Sequence, residues 1–163
     1  VAVRVDFSAH HRTITRAALD QMLGFQQNPT GIDRTHPKVT FDNVLKGKLG
    51  EAAWAVRLGY GVEAILDDGP HRPDFELKGW KLDVKTSQLS SSSINVRSYY
   101  LEKPDLDSWV ILGALCDIDT WTVELAGSIR ANRLSEWAVS DPESGHSTSY
   151  IRVPIDALNG VDG

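Results

Sequence analysis

A chain of 163 residues, 41% hydrophobic and 24% charged, is sized for one globular domain with a real core, and a second independent domain is not expected. Its net charge of −5 argues, taken alone, against a polyanionic partner, but eight Lys/Arg stand against five Asp/Glu through Arg57, a local +3, and the remainder carries −8. A single cysteine, Cys116, rules out an intrachain disulfide; no apolar run approaches the ~20 residues that span a bilayer and no signal-peptide pattern is present, so a reducing, cytoplasmic setting is expected.

The sequence begins at Val1 rather than Met, as a trimmed or processed product would. In "RTITRAALDQMLGF", Ile14, Ala18, Met22 and Phe25 recur at three and four residues, which predicts an amphipathic helix with Arg12 and Arg16 on other faces. "QQNPTGIDRTHPK" holds Asn28-Pro29, Gly31 and Pro37 and reads as a long loop. A second helix is expected from Asp42, taken as N-cap, to Leu58, with Gly59 and Gly61 as stop signals. Gly47 and Gly50 weaken that helix unless another backbone packs closely there.

Six runs then read as strands: "VEAIL", "PDFEL", "KLDVKTS", "SINVRSYYL", "SWVILGALC" and "WTVELAGSI". "ANRLSEW" is a short helix, "DPESGHSTS" a loop, "YIRVP" a last strand and "IDAL" a last helical turn, while Ser90 to Ser93 suggests a mobile loop. The expected fold is α/β, a central mixed β-sheet flanked by helices. It forms one domain over 1–163, with a helical part at 1–43, a core at about 44–115, and C-terminal strands and short helices at 116–163.

The informative stretch is "PDFELKGWKLDVKTSQ". Along a strand Leu82 and Val84 face one way while Lys81, Asp83 and Lys85 face the other. A tight turn at Lys78-Gly79-Trp80 brings Asp74 near Asp83 despite their separation in sequence, and two carboxylates converging from rigid elements are what an oxygen-bound divalent cation needs. Lys85 beside Asp83 places an ammonium where it orients a nucleophilic water and answers charge on a phosphate. Glu51 lies in an otherwise apolar stretch of the second helix, where a carboxylate needs a partner. The plainer alternatives are an exposed strand-face ion pair for Asp83 and Lys85, and a helix-surface acid paired with Lys48 for Glu51.

Pro73-Asp74 followed by Asp83-Val84-Lys85, with Glu51 on the preceding helix and the polar Gln88 three residues past the lysine, resembles the PD-(D/E)XK nuclease superfamily. The likeness covers about Val44 to Leu115. It implies a restriction-endonuclease-like core in the order helix, strand, strand, strand, helix, strand, and Mg²⁺-dependent hydrolysis of nucleic-acid phosphodiesters, with Mn²⁺ able to substitute. Asp74, Asp83 and the Val84 carbonyl would hold the metal, Glu51 would assist, Lys85 would position the water and Gln88 would join the catalytic set. The products implied carry a 5′-phosphate and a 3′-hydroxyl. The motif is short, and its specificity comes from the hairpin, the upstream acid and the strands that follow.

The expected enzyme is a metal-dependent deoxyribonuclease, either structure-selective in junction resolution or repair, or of restriction type. The alternative is a non-catalytic nucleic-acid-binding or assembly module that retains the nuclease fold. DNA is the expected partner, contacted by Arg12, Arg16, Lys46, Lys48 and Arg97, and no membrane is involved. Cutting both strands commonly takes two active sites, which makes a homodimer plausible, although no heptad or interface stripe declares itself.

The remaining candidates are weaker. His10, His11, His36, His71 and His146 lack zinc-ligand spacing, and "KGKLGE" lacks the glycines and hydroxyl of a phosphate-binding loop. Cys116 reads as a buried, inert thiol. The five tryptophans read as core, with Trp80 at the turn able to touch a base.

Overall fold

The computed structural model describes residues 4–27, 40–66, 73–138 and 150–160, with backbone alone at 25–27. Gln26 and Gln27 of the loop expected at 26–38 belong instead to the first helix; the rest of that loop and the one expected at 141–149, with His36, His71 and His146, lie outside the described residues. The α/β class stands: among the described residues two helices, α1 (His11–Gln27) and α2 (Phe41–Arg57), accompany seven strands. These are β1 (Arg4–Asp6), β2 (Phe75–Leu77), β3 (Trp80–Gln88), β4 (Ser93–Arg97), β5 (Trp109–Asp117), β6 (Thr122–Arg130) and β7 (Tyr150–Pro154). Among the described residues no helix is long and apolar enough to cross a membrane.

The central sheet is mixed, in the order β1-β6-β5-β3-β2, with β3 and β5 parallel and the other pairs antiparallel. A second sheet is the antiparallel pair β4-β7. Strand alternation along β5 divides the core in two. Leu112, Ala114 and Cys116 join α1, α2, Leu82 and Val84 on one face, while Trp109 and Ile111 join β4, β7 and the 3₁₀ turns on the other. β6 serves both cores because Gly113 pairs with Gly127 but Ala114 pairs with Leu125. The extra residue, Ala126, reverses the alternation, so Val123 and Leu125 enter the first core and Ile129 the second. Gly127 sits there at φ 123°, and a Cβ on it would lie 2.1 Å from the Asn159 carbonyl oxygen, which accepts from Ser128 N–H.

The helices follow their patterns with adjustments at the ends. Ile14, Ala17 and Ala18 of α1 are buried and Met22 packs against them. The cap of α2 is Thr40 rather than Asp42, since its hydroxyl accepts the Asn43 N–H, and Asp42 falls in the first turn, where a negative charge suits the helix dipole. "VEAIL" is not a strand but a 3₁₀ helix, Val62–Leu66: Val62 and Ile65 are buried three residues apart, a spacing period-two alternation cannot supply. "SINVRSYYL" is a strand only to Arg97, after which Ser98–Glu102 is 3₁₀. "ANRLSEW" and the turn after β7 are 3₁₀ as well, at Ala131–Trp137 and Ile155–Ala157.

Cys116 is buried, and desolvation pushes its thiol up to about 11, which keeps it protonated and unreactive. Trp54 and Trp109 are core residues. Trp80 is half-buried with Arg130 over its ring at 5.1 Å.

Candidate active site

The site forms where β2 stops and β3 continues. Lys78 and Gly79 both adopt positive φ, 51° and 85°, which closes a two-residue hairpin turn and sets Phe75 opposite Leu82. Asp74, just before β2, takes over from the ladder: its Oδ2 accepts the Val84 N–H at 2.7 Å. In an extended strand the N–H and C=O of one residue point to the same side, so the Val84 carbonyl is directed to this edge too.

Leu82 and Val84 are buried in the core that α2 covers, which turns Asp83 and Lys85 to the other face of β3. The Lys85 ammonium lies 2.9 Å from Asp83 Oδ2. The Tyr100 hydroxyl donates to the same oxygen. Tyr100 is only 2% exposed, with the Lys85 ammonium 5.6 Å above its ring, the Trp109 ring edge-on at 5.8 Å and Tyr99 stacked at 5.6 Å. Asp83 is therefore held by two donors from separate elements.

Glu51 reaches the same edge because α2 closes on β3 at Gly50. A Cβ there would stand 1.9 Å from Thr86 Oγ1, so the glycine is required for this approach, whereas Gly47 has open space around its Cα. Glu51 Oε2 accepts from Lys48 Nζ at 2.9 Å, and the same ammonium lies 3.3 Å from the Ile65 carbonyl oxygen. Lys48 is 1% exposed. Expected among the phosphate contacts, it is instead a buried counter-charge, and Glu51 is correspondingly not an acid on the helix surface.

The electrostatics tie the four charged residues into one cluster. Burial first, then the charges of Glu51 and Asp83 and a hydrogen bond with the Asp83 side chain, hold the Asp74 carboxyl well above the ordinary range; the Val84 N–H opposes this. Burial also raises Glu51, assisted by the charge of Asp83 and opposed by Lys48 and Lys85. For Lys85, burial favours the neutral amine, but Asp83, Asp74 and Tyr99 outweigh it and the pKa is raised. Lys85 stays an ammonium, suited to donating hydrogen bonds and charge.

This donor set fits a small hard cation. Among the described residues no group of three or more His, Cys, Asp or Glu side chains is arranged as a ready-made metal cage. Mg²⁺ does not require one, since it is usually held by one or two carboxylates, waters and substrate phosphate. Asp74, Asp83 and the edge-directed Val84 carbonyl meet that requirement, and the repulsion that raises Asp74 is what a cation would relieve.

The other expected residues are less closely joined. Gln88 ends β3 exposed, and alternation sets it on the face of Val84 rather than that of Lys85. Arg12 and Arg16 are exposed on α1, Lys46 is half-buried on α2, and Arg97 is the half-buried last residue of β4. Tyr100 was not expected here. Inside "SINVRSYYL" it reads as a strand residue, and only the 3₁₀ turn carries its hydroxyl to Asp83. Compared with protein-family models, with curated proteins and with solved structures, the chain matches none.

Proposed function

We propose that the protein is a Mg²⁺-dependent endonuclease of the PD-(D/E)XK type that hydrolyses DNA phosphodiester bonds, with Mn²⁺ able to substitute. One observation carries the reading: Asp74 and Asp83, from the two arms of one hairpin, meet at a strand edge with Lys85 at 2.9 Å from Asp83 and Glu51 close enough for its charge to raise the Asp74 pKa. The sheet supports it, because a hairpin bearing the acids is followed by a strand parallel to its second arm and a further antiparallel strand, an arrangement compatible with a restriction-endonuclease-like core. Two departures from the expected element order accompany it. The first of three expected strands is the 3₁₀ helix Val62–Leu66, and the crossover from β3 to β5 runs through β4 and 3₁₀ turns rather than an α-helix.

Asp74, Asp83 and the Val84 carbonyl would hold the ion, with Glu51 assisting. When bound, Mg²⁺ would supply Lewis-acid stabilisation of phosphoryl charge and acidify a water. Lys85 orients the attacking water by donating to its oxygen and opposes negative charge that grows on the phosphate. Tyr100 and Lys85 fix the rotamer of Asp83, and the Val84 N–H fixes that of Asp74, so the acids need no reorganisation as charge develops. Lys48 opposes the rise that burial imposes on the Glu51 pKa. The P–O3′ bond breaks, the water's oxygen stays on phosphorus as the 5′-phosphate, and the leaving 3′-oxygen takes up a proton.

The test is cleavage of linear duplex, single-stranded, flap and four-way-junction DNA with and without Mg²⁺, by wild type and Asp83→Ala. Metal-dependent cutting of at least one substrate, abolished in a folded Asp83→Ala protein, is expected. An Asp83→Ala protein that still cuts in response to metal removes the assigned site, and binding without cutting by wild type converts the reading to a non-catalytic module.

A further inference from the structure

The ribbon β4-β7 has two unlike faces. Ile94, Val96, Ile151 and Val153 are almost wholly buried against the second core. Alternation turns Ser93, Asn95 and Arg97 of β4 and Tyr150, Arg152 and Pro154 of β7 the other way, in the register Ser93↔Pro154, Asn95↔Arg152 and Arg97↔Tyr150. That outer face carries two guanidiniums, an amide, a phenol and a hydroxyl, and no carboxylate. In a chain of net charge −5 such a face stands out, and its complement is a polyanion.

We propose that this face of the β4-β7 ribbon is the docking surface for B-form duplex DNA and enters its major groove. Two strands ~4.8 Å apart with their side chains suit a groove ~12 Å wide, which admits a two-stranded ribbon. The chemistry suits the groove floor as well as its walls. Arginine pairs bidentately with guanine O6 and N7 or with phosphate, and an amide such as Asn95 pairs with adenine N6 and N7. The packed inner face makes the ribbon a rigid platform, so little ordering is lost on binding.

The ribbon also leads to the acids. β4 runs directly into the 3₁₀ turn Ser98–Glu102, whose Tyr100 donates to Asp83; two residues, Ser98 and Tyr99, separate Arg97 from Tyr100, a Cα span of at most ~11 Å. The ribbon is thus tied to the acid cluster through this turn. This docking surface deepens the nuclease reading and rests on it for its purpose, but its binding is measurable without turnover. Duplex RNA makes a poor alternative occupant, since its major groove is too deep and narrow for a ribbon to read.

The test is fluorescence anisotropy in EDTA, with a labelled 20-base-pair DNA, the same sequence as duplex RNA, and its single DNA strand, over a range of salt. Wild type is expected to favour duplex DNA. Arg97→Ala/Arg152→Ala is expected to weaken duplex binding ~10-fold or more and to flatten the log–log salt slope by about 2, two phosphate-equivalent charges having gone. Asn95→Ala is expected to weaken binding while keeping the wild-type slope. Thermal melting checks that these solvent-face variants fold. Unchanged duplex affinity and slope in the double arginine variant overturn the proposal, as does equal or tighter wild-type binding to the RNA duplex or the single strand. If wild type cuts DNA but the ribbon variants bind as tightly, the docking surface falls and the catalytic site stands. If wild type never cuts but ribbon variants lose duplex binding, the docking surface stands and the nuclease reading falls.

Discussion

Replacing Lys48 by methionine keeps most of the side-chain volume and removes the one ammonium that lies 2.9 Å from Glu51 in a site where the lysine is 1% exposed and the Glu51 side chain 12%. Breaking a buried ion pair from one side costs ~3–5 kcal/mol because the remaining charge is left uncompensated. The slight exposure of Glu51 and the nearby Lys85 charge place this case at the lower end, ~3 kcal/mol, or ~6–12 °C in Tm for a domain of this size. The loss should depend on pH in a defined sense. Glu51 already has a raised pKa through burial, and Lys48 is the main influence lowering it, so Lys48→Met raises it further. A carboxyl whose folded pKa lies above its unfolded value contributes stability that is present at low pH and lost as pH rises through the folded value. Lys48→Met should therefore be most destabilised near pH 8 and recover toward pH 5 as Glu51 takes up a proton. The double variant Lys48→Met/Glu51→Gln should stay close to wild type at both, since no unpaired charge remains. Urea or thermal melts of wild type, Lys48→Met, Glu51→Gln and the double variant at pH 5 and 8 give the cycle. A Lys48→Met loss below ~1 kcal/mol with no pH dependence would mean that water screens the pair and that Glu51 is not part of a desolvated cluster.

The cluster as a whole should respond to protons and to cations in parallel. Asp74 and Glu51 both sit above the ordinary carboxylate range through burial, so lowering pH from 7 toward 5 should raise the Tm of wild type relative to Asp74→Asn, and Mg²⁺ at pH 7 should do the same; curves that track each other under both treatments would refute a shared repulsion. Lys85→Ala should lower single-turnover cleavage by ~10² or more while DNA and metal binding persist, because its ammonium acts chiefly on charge that develops in the transition state. Lys85→Arg should rescue poorly, as a planar guanidinium cannot place a point charge at the same spot; near-equal rates for the three proteins would reduce Asp83 and Lys85 to a strand-face ion pair.

Much of this site is legible in the sequence because its residues are local. The hairpin is encoded in Lys78-Gly79, whose positive φ values a glycine makes accessible, and the facing of Asp83 and Lys85 follows from the burial of Leu82 and Val84. Glu51 was legible as an acid in an apolar helix, but Gly47 and Gly50 read alike, and only Gly50 meets a close neighbour, the Thr86 side chain rather than another backbone. What escaped depends on partners distant in the chain. β1 pairs over only three residues with β6, and so short a segment has no period to detect. "VEAIL" is β-branched at its start and five residues long, too short for propensity to separate a strand from a 3₁₀ turn. The burial of Lys48 had no signal, since a lysine at a helical i,i+3 spacing from a glutamate normally marks a solvated face. Gly127 did carry one: a glycine inside a strand often marks a bulge, and here the bulge passes β6 from one core to the other.

The donors around the carboxylates follow a common logic. Each acid receives its own: the Val84 N–H for Asp74, Lys85 and Tyr100 for Asp83, and Lys48 for Glu51. In each case the donor engages one named oxygen, which sets the rotamer and leaves the carboxylate with acceptor capacity for another ligand. Three acids crowded at one edge without these donors would protonate or splay apart. With them, Lys48 and Lys85 oppose the rise in the Glu51 pKa, but Asp74, whose hydrogen-bond donor is a neutral backbone N–H, remains the most strained carboxyl. The imbalance has a direction: the acid with no lysine of its own is the one that gains most from an added positive charge. A cation held by Asp74 and Asp83 would relieve that strain without disturbing either lysine's contact, which is what the proposed metal site asks of the Asp74 side, with Lys85 left to the substrate.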